Sequence, residues 1–306
     1  MQTTLAQTVR LDGHGLHSGA PVRLVLRPAP PHHGIRFRRS DVRLGNALVS
    51  ARWDNVIQTA LNTRIENAHG TAVSTIEHLM AALAGCGVHN VLAVLDAPEV
   101  PILDGSAAPF ARAILQAGLV RQDAPLRAVR VLRPVTVSQG DALASLSPAP
   151  GLIIDFAIAF DAAAIGTQAR SLDMANGAFL RELADSRTFC RQADVDAMRA
   201  QGLGLGGSLD NAVVVDGGRV LNTGGLRHPD EAVRHKMLDA LGDLATAGAP
   251  LLAQYRGVRA GHALTNRLLR ALFADPDNWA YVPVDAALAL RLPGSDLGPG
   301  DLAAVA

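Results

Sequence analysis

Lysine is almost missing from this 306-residue chain: of 28 basic residues, 27 are arginine and one, Lys236, is lysine. Cysteine is nearly as scarce. Cys86 and Cys190 form neither a CxxC pair nor a disulfide framework, which excludes a cystine-stapled scaffold and suits a reducing compartment. Neither sign of charge prevails, since 28 acidic residues balance the 28 basic ones. No global field therefore draws nucleic acid or an anionic membrane, and a polyanionic substrate must be met by a local cluster. Long apolar runs are absent too. The longest candidate, Leu79 to Leu95, is interrupted by His89 and Asn90, so no transmembrane helix and no stable membrane insertion are expected. Met1 to Gln7 show no basic stretch followed by an apolar run, so no secretory signal is expected and the cytoplasm is the expected location.

What is present is a chain that is 49% hydrophobic and long enough for two domains of ordinary size. The first third reads as short strands: Val22, Leu24 and Leu26 alternate, as do Ile35 and Phe37. Ser74-Thr75-Ile76-Glu77 has the form of a capping box opening a helix through Leu83 that ends near Gly85 or Gly87. A buried strand, Asn90 to Leu95, a loop, Pro98 to Gly105, and a helix, Ala107 to Ala117, follow. The polar stretch Val120 to Leu126 marks a boundary, giving domains 1–124 and 125–306. The second half restarts with strands at Val129 to Val137 and Leu152 to Phe160. Helices are expected at Asn176 to Leu183, Pro229 to Ala247 and Gly261 to Phe273, with a Gly-rich segment (202–207) feeding an apolar strand, Ala212 to Val215. Glu77 to Gly85 weakly echoes Arg234 to Gly242, each placing a His in the early turns of an apolar helix. Two similar α+β domains follow, and if their helical layers face one another the two histidines meet.

His235 and Asp239 are four apart on the expected helix, which puts both side chains on one face, one turn apart. That is how a helix offers two ligands to one metal, and His78 from the partner helix is the natural third. Taken alone, HxxxD is more often a surface pair. The apolar surroundings Met237, Leu238, Leu241 and Leu244, the matching Glu-His in the other half and the adjacent Lys236 favour a site. The lone lysine then marks a place where a guanidinium will not serve, although a GC-rich genome explains the arginine bias by itself. The residues leave Glu77 with two roles, holding its own helix start or acting as general base for a metal-activated water. His262, at an expected helix start, suits protonation of a leaving amine if Asp243 holds it cationic, and Thr188 suits an oxyanion donor.

Seven segments taken together resemble one family. They are Gly15-Leu16-His17-Ser18-Gly19, Ser74 to Leu79, Pro98 to Ser106, Ser186-Arg187-Thr188-Phe189, Leu205 to Ser208, Ser208 to Val215, and Val233 to Asp239. The sequence resembles the UDP-3-O-acyl-N-acetylglucosamine deacetylases, in order, from about residue 5 to 290. That resemblance implies an α+β fold of two similar domains packed as a β-α-α-β sandwich, with the site between the helical layers. It implies zinc (iron being possible) on His78, His235 and Asp239, Glu77 as general base, and His262 as general acid beside Asp243. It gives Thr188 to the oxyanion and Lys236 to the substrate's polar head, with Phe189 also at the substrate. It implies the committed step of lipid A synthesis in Gram-negative bacteria, on a UDP-linked acylated amino sugar; a monomer is expected.

The resemblance also implies an insert, about 190–222, forming an apolar acyl passage that Val195, Met198, Ala212 and Val214 are expected to line; ordinary core packing serves any one of them equally well. Two departures stand out. Cys190-Arg191-Gln192-Ala193 replaces a segment that is usually smaller and more apolar, and Asn62 stands where some members carry a cysteine near the metal. Two rivals remain: a zinc amidohydrolase acting on another N-acyl sugar, and a non-catalytic module with a structural metal, against which the lack of a cysteine pair argues.

Overall fold

The computed structural model describes residues 1–57, 61–295, 297 and 299–305. Its helices, among those residues, are α1 (Glu77–Gly85), α2 (Ala108–Ala117), α3 (Ala178–Glu182), α4 (Gln192–Ala200), α5 (Glu231–Ala245), α6 (His262–Ala274) and α7 (Ala286–Ala289). Alternating burial builds the first sheet. In Pro21–Pro28 the residues Val22, Leu24 and Leu26 point inward between exposed neighbours. That strand pairs antiparallel with Val9–His14 and Val91–Leu95, and the latter runs parallel to Ile35–Arg39, which pairs with Leu48–Ser50. The second sheet is organised around Leu251–Val258, which joins Ala142–Pro148, Leu152–Ala159 and Arg127–Val131. Val135–Gln139, Thr167–Asp173 and Trp279–Pro283 extend it.

Helices α5 and α6 cover the second sheet, and α1 packs with α2 beside the first. The contact of α1 with α5 is the broadest between any two elements, so the helical layers face each other between two sheets. The fold is the α+β, β-α-α-β sandwich expected from the sequence. One apolar core runs through both halves, from Leu24 and Phe37 through Leu79 and Leu238 to Tyr255 and Leu268.

Several expectations need correcting. Ser74-Thr75-Ile76-Glu77 is not a capping box. Thr75 sits at a φ of +57°, which no helix tolerates, and α1 starts at Glu77 with no side-chain cap. Ser74 instead exchanges backbone hydrogen bonds with Pro98 and Val100. The strand read as Val129 to Val137 is two strands, Arg127–Val131 and Val135–Gln139, because Pro134 has no N–H to continue the ladder. Strands Ala142–Pro148, Thr167–Asp173 and Trp279–Pro283, and helix α4 inside the insert, were not anticipated.

Candidate metal centre between the helical layers

Gly242 sets the distance between the two central helices. A Cβ there would stand 2.0 Å from the backbone oxygen of Glu77, so α5 meets the start of α1 backbone to backbone. That approach brings the echoed histidines together. The rings of His78 and His235 lie edge to face, with centroids 5.0 Å apart.

Asp239 Oδ1 lies 3.6 Å from His78 Nε2 and 3.4 Å from His235 Nε2. Ligands held about 2.0–2.1 Å from a tetrahedral zinc stand roughly 3.3 Å apart, so the three atoms are spaced like the corners of such a site. All three residues are buried, and their ligand atoms lie within 4.8 Å of one another. Asp239 Oδ1 accepts no hydrogen bond among the described residues, although it is shut away from water. A buried carboxylate oxygen left so bare is costly unless a cation completes it. The donor set of two imidazoles and a carboxylate leaves a tetrahedral ion one open position.

The surroundings set the protonation states. His235 Nδ1 lies 3.0 Å from the Ser186 carbonyl, which can only accept, so Nδ1 carries the proton and Nε2 is bare. Burial pushes the His235 pKa down to about 4, which keeps the ring neutral. Burial opposes ionisation of Asp239, yet the adjacent imidazoles and the Lys236 ammonium outweigh it and hold the carboxyl well below its ordinary range. Lys236 Nζ donates to the other oxygen, Oδ2, at 2.7 Å. Its own pKa is raised, because Asp239 overcomes the cost of burial.

Glu77 is 3% exposed, and burial raises its pKa against the pull of His262 and His78. Its Oε2 accepts the Thr63 N–H at 3.0 Å, so the carboxylate is not committed to its own helix start, and the charges that act on it are those of His262, His78, Asp239 and Asp243. His262 opens α6, and its Nδ1 donates to Asp243 at 3.0 Å while Nε2 faces Asp239 Oδ2 at 3.9 Å. Burial would lower its pKa, but Asp243, Asp239 and Glu77 together push it up to about 9. Thr63 Oγ1 also donates to Asp243. Thr63 and Ser186 were missed at the level of sequence. One acts largely through its backbone N–H and the other through its carbonyl, and neither group shows in residue identity.

The remaining candidates lie on the segment after Ser186 and in the insert. Thr188 is tied by backbone hydrogen bonds to Gly105 and Val213. The Phe189 ring stands 6.3 Å from that of His235 and 5.4 Å from that of Phe160. Ala212 and Val214 are buried but stand outside the contiguous core to which their neighbours Val213 and Val215 belong. Val195 and Met198 are half-buried on α4, which packs against the same strand, Val213–Asp216. Asn62 donates to Thr75 Oγ1 at 3.0 Å.

The Gly15-to-Gly19 loop gathers on Glu99, which accepts the N–H groups of His17 and Ser18 and the hydroxyls of Ser18 and Thr75. A Cβ on Gly15 would fall 2.2 Å from the Glu99 carboxylate, so only glycine fits.

With this geometry in hand, comparison with known proteins is decisive. A sequence profile of the UDP-3-O-acyl N-acetylglycosamine deacetylases matches residues 2–274. The chain belongs to that deacetylase family. A UDP-3-O-acyl-N-acetylglucosamine deacetylase of Phenylobacterium zucineum (strain HLK1) is 50% identical over 278 residues, covering 91% of this chain and 95% of the relative. Those of Stenotrophomonas maltophilia (strain K279a) and Haemophilus influenzae (strain 86-028NP) are 47% and 44% identical, covering 93% and 92% of this chain and 94% and 92% of the relatives. The resemblance stated from motifs thus extends across nearly the whole deacetylase chain. Among the described residues, no helix is long and apolar enough to cross a membrane.

Proposed function

We propose that the protein hydrolyses the acetamide of UDP-3-O-acyl-N-acetylglucosamine, giving acetate and UDP-3-O-acyl-glucosamine, the committed step of lipid A biosynthesis in Gram-negative bacteria. The observation that carries the reading is the bare Asp239 Oδ1 held between the Nε2 atoms of two buried histidines. These residues would hold a zinc or iron ion, zinc being the better match to one carboxylate and two imidazoles with an open position. A divalent ion there supplies Lewis acidity to a water and to the substrate carbonyl.

The side chains do the rest. Glu77 accepts a proton from the attacking water; its raised pKa brings it nearer to neutral working conditions than an ordinary carboxylate. Thr188 offers a hydroxyl to the carbonyl oxygen as negative charge gathers on it. His262, cationic through Asp243, delivers a proton to the departing amine. Lys236 stands beside Asp239 as a compact ammonium for the polar head, where a planar fork would not fit. Val195, Met198, Ala212 and Val214 line the acyl passage of the insert, and Phe189 spans from that insert towards His235.

We further place the domain boundary at residues 124 and 125, and the protein in the cytoplasm as a monomer, where a nucleotide-sugar substrate is at hand and Cys86 and Cys190 stay unpaired. The test is metal analysis of the purified protein together with turnover of a series of UDP-3-acyl-GlcNAc substrates. About one zinc or iron per chain and release of acetate are expected. Metal-loaded protein that leaves every member of the series intact sinks the reading, and comparison with the de-acylated sugar tests the passage.

A further inference from the structure

We infer that the protein carries a second ligand site, a cavity that binds a single-chain amphiphile with an anionic head, separate from the metal cluster and independent of the reaction proposed above. The cavity has a volume of about 680 Å³, within the ~300–1,000 Å³ typical of small-molecule sites. It opens at the seam between the two halves, and its walls include none of the cluster residues. It takes the turns of α1 and α5 that follow them.

The inner wall is aliphatic: Met80 and Leu83 from α1, Leu241 and Leu244 from α5, and Leu152 and Leu251 from the second sheet. The mouth is cationic. Arg36, Arg52 and Arg127 lie on it, His89 beside them is kept neutral by burial, which pushes its pKa down to about 4, and no carboxylate is among the lining residues. Arg36 spends its Nε–H on the His33 carbonyl, and Arg127 lies over the Tyr281 ring at 4.6 Å. Neither has an ion-pair partner among the described residues, and Arg52 has only the exposed Asp54, at 3.3 Å. In a molecule with equal numbers of acidic and basic residues, three guanidinium groups around one mouth without an acid is a local departure.

The two parts together choose the ligand. A wholly polar anion would leave the aliphatic wall in water and gain nothing from it. A nucleotide base is held best by stacking on a Phe, Tyr or Trp ring, and the one such ring in the wall, Tyr281, is already covered by Arg127. An acyl chain fills the apolar depth, gaining about 0.8 kcal/mol for each CH₂ removed from water, while its carboxylate or phosphate meets the guanidiniums at the mouth.

The probe is dodecanoate, titrated calorimetrically into the full-length protein below micelle-forming concentrations. Dodecyl phosphate, dodecyltrimethylammonium and inorganic phosphate run beside it. Two variants isolate the cavity: Ala84→Trp, which fills it, and the double charge reversal R36E/R127E at its mouth. Dodecanoate or dodecyl phosphate, whichever head is preferred, binds the wild type, and each variant weakens that binding at least about tenfold, the loss of roughly 1.4 kcal/mol expected from one good contact. The cationic amphiphile and free phosphate bind at least tenfold more weakly than the anionic chain. Arg127 is exposed and Arg36 half-buried, and neither is ion-paired among the described residues, so their reversal, its folding checked by melting temperature, decides the matter even if Ala84→Trp fails to fold. The proposal fails if neither anionic chain binds, if both variants bind as the wild type does, or if only one of two folded variants is affected. Binding confined to the acyl passage of the insert gives the second of these outcomes.

Discussion

The α-carbon of Gly242 faces the carbonyl oxygen of Glu77 so closely that a single methyl group, at 2.0 Å, has no room between them. This contact fixes how the helix bearing His235 and Asp239 sits on the helix bearing His78. Gly242→Ala must push the two apart, and overpacking of this kind costs about 1–3 kcal/mol. The expected result is a lower urea midpoint together with weaker metal retention, while the conservative Gly85→Ala, which collides with the Phe179 ring instead, destabilises without touching the metal. Metal retention unchanged in folded Gly242→Ala would show that the cluster does not depend on this contact.

His235→Ala removes one corner of the cluster and is expected to lose the metal, read directly by elemental analysis. Glu77→Gln and His262→Ala leave all three ligand atoms in place, so metal content stays near that of the wild type, although His262→Ala also lowers the melting temperature by leaving Asp243 buried without its counter-charge. Deacetylation in both falls by about 10²–10⁴-fold, the usual worth of a positioned acid or base. Near-normal turnover in either variant removes that residue from the chemistry.

The pH profile of kcat/KM has a defined sign on each side. Glu77 must be ionised to accept a proton, so activity falls as pH drops through its raised pKa. His262 must be protonated to donate one, so activity falls as pH rises through a value of about 9, moved lower by any bound dication. Asp243→Asn removes the strongest support for the His262 charge. The alkaline limb of the variant should move to lower pH by at least about one unit, and the acid limb should move less and in the same direction, because the Asp243 charge also helps to raise the Glu77 pKa. An unmoved alkaline limb assigns it to another group.

Arg187 and Glu231 form a buried pair at 2.9 Å, with the Glu231 side chain 1% exposed. Burial alone would raise the Glu231 pKa, but hydrogen bonds from Arg187 and the Arg227 N–H hold it below its ordinary value. The ionised pair therefore contributes fully above the unfolded pKa and is lost as pH falls through the folded one. Glu231→Gln leaves Arg187 buried without its counter-charge, a loss of about 3–5 kcal/mol at pH 7. Urea melts should show the gap between wild type and variant closing as pH is lowered from 6 to 3.

Much of the site was legible because it is written in helical spacing and in repetition. The four-residue interval from His235 to Asp239 and the echo at His78 are enough to single out three ligand candidates. What stayed hidden has physical reasons. The Ser186 carbonyl and the Thr63 N–H are backbone groups that every residue type supplies, so no side chain announces them. The Ser74-to-Glu77 pattern does not cap the helix because Thr75 takes a left-handed turn and gives its hydroxyl to Glu99, a residue 24 positions away. Helix α4 carries only Val195 and Met198 as large apolar residues among polar neighbours, too thin a stripe to stand out.

Lys236 has one more consequence. It is the chain's only ε-amine, and it is sunk beside Asp239. Lys236 is 17% exposed and is the one lysine an acylating reagent could reach, while the permanently charged cations of the surface are guanidinium groups. An amine-directed label that enters this protein beyond its N-terminus has entered the reaction chamber, which makes such labelling a direct gauge of how open that chamber is.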